Sequence, residues 1–237
     1  MATFVLVHGA WHGGWCWEKL TPLLEQAGHT VVAKDLPGMG SDRTPFTDDV
    51  LGQWTDAVVE QVNAASSPVI LVGHSRGGAV ISEVAERAGQ NIARLVYLTA
   101  FLLPAGVSLM ENVMSRGEGT GPVLVIDEAT GTCTVEPGTQ QAVFYHQCSA
   151  SDVAGAIDRL CPEPLEPLGR GLRVTAEHFG AVPRAYIEAA HDQAITLDHQ
   201  RAMQAVFPCS PVLHLESDHS PFYSMPEQLA AALLQLA

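Results

Sequence analysis

Positive charge is what this sequence has least of. Its 12 lysines and arginines stand against 26 aspartates and glutamates, a formal net charge of −14. That balance argues against nucleic acid and anionic membrane surfaces, where Lys and Arg must neutralise phosphates. It names no substrate, because a solvated acidic surface is its ordinary meaning. Charged residues of either sign make up only 16% of the chain and hydrophobic ones 47%, so most of it must fold around a core. No apolar run approaches the length of a bilayer span. The stretch Met1–His8 lacks a basic leader and a small-residue cleavage site, so no signal peptide is expected. The five cysteines, Cys16, Cys133, Cys148, Cys161 and Cys209, are odd in number and form no C-x-x-C pair. They read as free thiols in a reducing compartment, with the cytoplasm as the expected location. No repeat of fixed period is present. A length of 237 residues suits one domain with an insertion, or two small domains.

What is present is organised around Val69–Gly78. An apolar run rich in β-branched residues ends in Gly73-His74-Ser75-Arg76-Gly77-Gly78, and a pattern of helical period follows. This reads as a buried strand, a tight turn and a helix. The turn carries Gly73-x-Ser75-x-Gly77, a nucleophile-elbow pattern. A serine hydroxyl is a poor nucleophile unless a base takes its proton and its oxygen stands clear. A sharp strand-to-helix turn would lift Ser75 clear, with glycines removing the side chains that would collide. The new helix would also point free backbone N–H groups at a developing oxyanion.

Elsewhere, strands are expected at Thr3–Val7, Thr30–Ala33, Leu95–Thr99, Ala185–Ala189 and Val212–Glu216. Helices are expected at Trp17–Gln26, Asp48–Ala65, Arg76–Ala88, Leu197–Ala205 and Pro226–Leu236. Strands that are unbroken apolar runs, alternating with helices, indicate a parallel sheet covered on both faces, with about six strands. The alternation lapses between Pro104 and Pro183. There, Val123–Asp127 and Thr132–Val135 suggest a hairpin, and Gln140–Cys148 and Ala150–Leu160 look helical, the second capped by Ser149 or Ser151. Residues 104–183 are therefore expected to form an inserted lid, with residues 1–103 and 184–237 as the core.

Ser75, Asp192 and His219 each follow a predicted strand, at the sheet edge where ligands bind in open α/β folds. His219, between the last strand and the last helix, is the candidate general base. Asp192 is the preferred acid to orient it. Asp218 adjoins His219 and is poorly placed to face it, and Asp198 sits where helix capping is ordinary. The oxyanion donors are expected to be the N–H groups of Arg76 and Ala10. His74 should turn away from the reacting face as a packed neighbour. An Arg76 side chain at a helix N-terminus opposes the helix dipole. It needs an acidic partner, either as a structural ion pair or to orient a carboxylate loop or a substrate group. His8 and His12 share a metal-like spacing but lie in a glycine-rich loop with no H-E-x-x-H glutamate, so no metal is expected. Gly117–Gly121 follows no convincing strand and is rejected as a dinucleotide loop, and no organic cofactor is implied. Trp11, Phe101 and Tyr145, with Leu102, Phe144 and Phe222, could line an apolar pocket under the lid.

Four motifs together, His8-Gly-Ala-Trp-His-Gly-Gly-Trp15, Asp35-Leu-Pro-Gly38, Gly73-His-Ser-Arg-Gly-Gly78 and Asp218-His-Ser220, resemble the α/β-hydrolase superfamily. Within it the sequence most resembles the small esterases grouped with plant methylesterases and hydroxynitrile lyases, and Tyr145–Ser149 with Asp152 resembles that branch's lid helix. The resemblance covers nearly the whole chain. It implies a Ser75–His219–Asp192 triad, oxyanion amides at Ala10 and Arg76, and a small-molecule ester as substrate, and it leaves a homodimer open. Hydroxynitrile lyases of this branch carry a threonine in the first-strand loop and a lysine after the catalytic histidine. Here those positions are Ala10 and Ser220, so ester hydrolysis is expected over cyanohydrin cleavage. A non-catalytic small-molecule receptor on the same fold is the other alternative.

Overall fold

A computed structural model describes residues 1–115 and 121–237. Gly117–Thr120, most of the rejected dinucleotide loop, thus lie outside the described residues. In chain order the strands are β1 (Thr3–Val7), β2 (Thr30–Val32), β3 (Val69–His74), β4 (Ile92–Leu98), β5 (Leu124–Asp127), β6 (Thr132–Val135), β7 (Glu163–Pro164), β8 (Arg184–Ala189) and β9 (Val212–Leu215). Six of them form one sheet in the order β2-β1-β3-β4-β8-β9, with every pairing parallel. Every residue of β3 is buried, so both faces of the sheet are covered at its centre. Helix Thr21–Gln26 packs with Pro226–Leu234, and Val50–Asn63 packs on Gly77–Ala88. The apolar stripe of Val50–Asn63, through Val50, Leu51, Trp54, Val58 and Val62, is buried, and the Asp49 side chain caps its start on the Gly52 N–H.

Several boundaries shift for local reasons. The helix expected over Trp17–Gln26 is a 3₁₀ turn at Gly14–Trp17 followed by an α-helix at Thr21–Gln26. Pro22 sits in the first turn of that helix, where its missing N–H costs nothing. Further inside, it would break the ladder. The helix after the elbow begins at Gly77, with Arg76 as its N-cap. Helix Leu197–Val206 is capped by Thr196, not Asp198.

Between β4 and β8 the described residues include a second, small antiparallel sheet, β5-β6-β7. The hairpin matches expectation. The third strand, β7, does not: Glu163 pairs with Cys133, some thirty residues upstream. Helix Leu109–Met114 was also unexpected and is closed by a capping box between Ser108 and Glu111. The expected helices shorten to Gln140–Phe144 and Ala150–Ile157, the latter capped by Ser149. Among the described residues, no helix is long and apolar enough to cross a membrane.

Candidate active site

The strand-to-helix turn at Ser75 is as sharp as its glycines suggest. Ser75 itself takes φ 52°, a left-handed conformation that costs a residue bearing a Cβ. A Cβ at Gly73 would stand 2.6 Å from the Gly77 carbonyl oxygen, and one at Gly77 would stand 2.7 Å from that of Val7. Both contacts are to backbone, so no side chain can move aside. The turn is tied to the neighbouring strand by Ser75 N–H to Leu98 O (3.3 Å) and Phe101 N–H to Ser75 O (3.1 Å).

His219 lies past the end of β9 and is buried. Its Nδ1 is 2.6 Å from Asp192 Oδ2. Asp192, also buried, accepts further hydrogen bonds from the Thr99 hydroxyl and from the N–H groups of Ala194 (2.6 Å) and Ile195 (2.8 Å). Donors surround the carboxylate, so Nδ1 is the protonated nitrogen of the His219 ring and Nε2 is the one left to accept. Asp218 does not face the imidazole. Its carboxylate caps the N–H groups of Gln147 and Ser220 and the Ser224 hydroxyl. Thr99 carries no recognisable motif. The signal that could have found it is its place just past β4, on the same edge as Ser75.

Ser75 and His219 share the wall of a cavity of about 100 Å3, together with Ala10, Trp11, Arg76, Phe101, Leu109, Met110, Val113, Gly121, Pro122, Leu124, Phe144, Leu168, Ala194 and Ile195. Two larger clefts of about 690 Å3 open elsewhere, and neither contains Ser75 or His219. Among the described residues, the backbone N–H groups of Ala10 and Arg76 donate to no protein acceptor. Of the residues suggested for a pocket, Trp11, Phe101 and Phe144 line the cavity. Tyr145 does not: its ring is fully buried behind the wall, and its hydroxyl is 2.6 Å from His12 Nε2. A phenol in so dry a place needs a polar partner, and His12 is the one within reach. Leu102 and Phe222 are likewise core, with Phe222 packed edge-on against His74.

Three further histidines near Ser75 (His8, His12 and His74) are buried. His74 turns from the cavity and hydrogen-bonds through Nε2 to the His219 carbonyl (2.8 Å). His8 donates to the Gly9 carbonyl and accepts from the Leu36 N–H, and His12 bridges the Ala10 carbonyl and Tyr145. Burial pulls His8 down to about 3 and His12 to about 4, and holds His74 well below the ordinary histidine range. Among the described residues, no group of three or more His, Cys, Asp or Glu side chains is placed to hold a metal ion.

Arg76 finds its acidic partner in Glu163, a residue that sequence reasoning did not single out. Arg76 Nε is 2.9 Å from Glu163 Oε1, both side chains are buried, and the guanidinium stacks 4.1 Å from the Trp54 ring. Among the described residues, the Arg76 side chain hydrogen-bonds to Glu163 and to the Gly9 carbonyl, and to no group of the Asp192 loop.

A parallel α/β sheet with a serine elbow at the carboxyl ends of its strands is the architecture of an α/β hydrolase. The model of the alpha/beta hydrolase family matches residues 4–232, and the chain belongs to that family. It is 34% identical to salicylic acid-binding protein 2 of Nicotiana tabacum, over 99% of this chain and 96% of that protein. It is 32% identical to an alpha-hydroxynitrile lyase of Arabidopsis thaliana, over 99% of this chain and 96% of that one. The solved structure of a methylesterase from Arabidopsis superposes with a TM-score of 0.83 at 31% identity, covering 100% of this chain and 98% of that one.

Proposed function

We propose that this protein hydrolyses small, uncharged carboxylic esters through an acyl-enzyme on Ser75. The observation that carries the reading is a single cavity wall holding Ser75, the Asp192-bound ring of His219, and two unpaired backbone N–H groups. Ser75 Oγ attacks the ester carbonyl while His219 Nε2 takes its proton. The carbonyl oxygen becomes an oxyanion, held by the N–H groups of Ala10 and Arg76. Collapse expels the alcohol, which leaves with the proton from His219. Water then attacks the acyl-serine by the same steps, releasing the acid and restoring Ser75. Residues 104–183 act as a lid, since Leu109, Met110, Val113, Leu124, Phe144 and Leu168 come from them and close the cavity.

The cavity favours compact apolar groups. Its roughly 100 Å3 falls below the few hundred Å3 typical of sites for drug-sized ligands, and its side-chain lining is mostly hydrocarbon. Methyl and ethyl esters and short acyl groups fit this description. The free thiols keep the cytoplasm as the compartment we favour.

The test is turnover of p-nitrophenyl acetate and butyrate by the wild type and by Ser75→Ala. The wild type should turn over both, and the variant should lose turnover and acyl labelling together. Equal rates would sink the serine mechanism, and labelling of the wild type without turnover would favour a receptor. A lyase reading has the hydroxynitrile lyase relative in its favour. Against it, Ser220 is buried and offers a leaving cyanide no cation. Rapid mandelonitrile cleavage by the wild type would reverse that choice.

A further inference from the structure

Trp11 follows Ala10 directly and holds φ 61°, a left-handed backbone that a tryptophan does not adopt unaided. Groups from the 104–183 segment pin it on every side. Glu163 Oε2 accepts its N–H (3.0 Å), the Cys161 N–H donates to its carbonyl (2.9 Å), and the Cys133 carbonyl accepts its indole N–H (3.2 Å). The other oxygen of Glu163 accepts from Arg76 Nε (2.9 Å), and Arg76 Nη2 reaches across to the Gly9 carbonyl (3.0 Å). The residues on either side of Ala10 are thus both fastened to one buried Glu163–Arg76 pair. Arg76 also supplies the second unpaired N–H of the cavity.

We propose that Glu163 is a positioning residue: from the lid strand Glu163–Pro164 it fixes the Ala10 and Arg76 amides relative to each other, so the oxyanion hole is complete only while that strand is seated. The inference rests on the reading of those amides as oxyanion donors. Its chemistry is geometric. An oxyanion donor helps only when aimed at the place where charge develops, and misplacing it weakens the transition state more than the bound ester. Lid opening and loss of the hole are then one event, so the nucleophile is disarmed whenever the site is open.

The experiment uses the full chain with p-nitrophenyl acetate. Glu163→Gln keeps the volume of the side chain but only one acceptor oxygen, so it can serve Trp11 or Arg76 but not both. The expected result is a fall in kcat of about 10- to 100-fold with KM within about twofold of wild type. Affinity for a trifluoromethyl ketone, whose adduct with Ser75 carries an oxyanion, should fall by the same factor. Affinity for the product acid should not change. Should Glu163→Gln fail to fold, the paired replacement Arg76→Met with Glu163→Leu removes both buried charges together, a change that folds tolerate better than the loss of one partner. It should show the same split. A folded variant with kcat within twofold of wild type, or with a loss confined to KM, would overturn the proposal. Wild-type turnover no faster than that of Ser75→Ala would instead overturn the esterase reading, and this inference with it.

Discussion

Replacing Asp192 by asparagine exchanges one oxygen for an NH2 and reverses the sense of one critical hydrogen bond. Asp192 Oδ1 accepts from the N–H groups of Ala194 (2.6 Å) and Ile195 (2.8 Å), which cannot turn. The amide oxygen of the asparagine must therefore take that position. Its NH2 then lies where Oδ2 was, between the Thr99 hydroxyl and His219 Nδ1. Thr99 can rotate its hydroxyl to accept. His219 can accept only by giving up the proton on Nδ1, and the neutral ring then carries it on Nε2. That tautomer cannot take the proton of Ser75. The same inversion in another serine hydrolase costs about 10,000-fold in kcat, or roughly 5 kcal/mol of transition-state stabilisation. The stability cost should be much smaller, about 1–3 kcal/mol, because every group around the side chain keeps a partner. For a chain of this size that is a fall in Tm of roughly 2–12 °C. The assay is p-nitrophenyl butyrate turnover, with a melting curve on the same preparation. A folded Asp192→Asn protein with kcat within tenfold of wild type would refute the assignment of Asp192 as the residue that sets the His219 tautomer.

Two further outcomes concern the scaffold. A Cβ at Gly78 would stand 2.2 Å from the Phe101 carbonyl oxygen, so Gly78→Ala must displace backbone and should cost about 3 kcal/mol or more, read as a drop in Tm of roughly 6–12 °C. An unchanged Tm would mean that the helix is not pressed against the 99–102 turn. Burial lowers His8 to about 3 and His12 to about 4, against an unfolded value of 6.5, so between about pH 4 and 6.5 the unfolded chain binds the extra protons. The stability these neutral rings contribute is therefore complete above 6.5 and drains as pH falls, by about 2 kcal/mol per ring between pH 7 and 5. Urea titrations at the two pH values should show this loss. His12→Gln should reduce it by about one ring's share, and an identical loss in the variant would refute the account.

What could be read from the sequence was what is local. Each parallel strand is a short apolar run with a break after it, and Ser75, Asp192 and His219 stand directly after such breaks, so order along the chain places them on one sheet edge. The glycines at Gly73 and Gly77 announce a turn too tight for a Cβ, and a Cβ at either position would meet backbone at 2.6 and 2.7 Å. What could not be read depends on pairings between distant residues. Strand β7 is two residues long, and its Cys161-Pro-Glu-Pro setting signals only a helix stop. It becomes a strand because β6 offers it an edge. Glu163 acquires meaning only through Arg76 and Trp11, 87 and 152 positions away. Tyr145 shares the apolar pattern of the cavity wall, and only the packing of His12 reveals that it serves the interior instead. Helix Leu109–Met114 is a different case. Its Ser108-x-x-Glu111 capping box was visible, but six residues are too few to establish a helical period.

The histidines show why burial at this edge is as much a part of the site as the named residues. The His74 and His219 rings lie 4.6 Å apart, and His12 is 6.1 Å from His74. In the proposed reaction His219 becomes an imidazolium, and a second positive ring at such range would oppose that charge. The fold prevents this by burying His74 and His12 with carbonyl and hydroxyl partners and no carboxylate partner among the described residues, so burial holds both below the ordinary histidine range. Asp192 is granted only to His219. Several imidazoles crowded around one serine thus divide into rings that fill space and hold backbone, and one ring that meets a carboxylate. The division follows from which of them meets a carboxylate, and that choice is made where the strand ends of β8 and β9 bring Asp192 and His219 together.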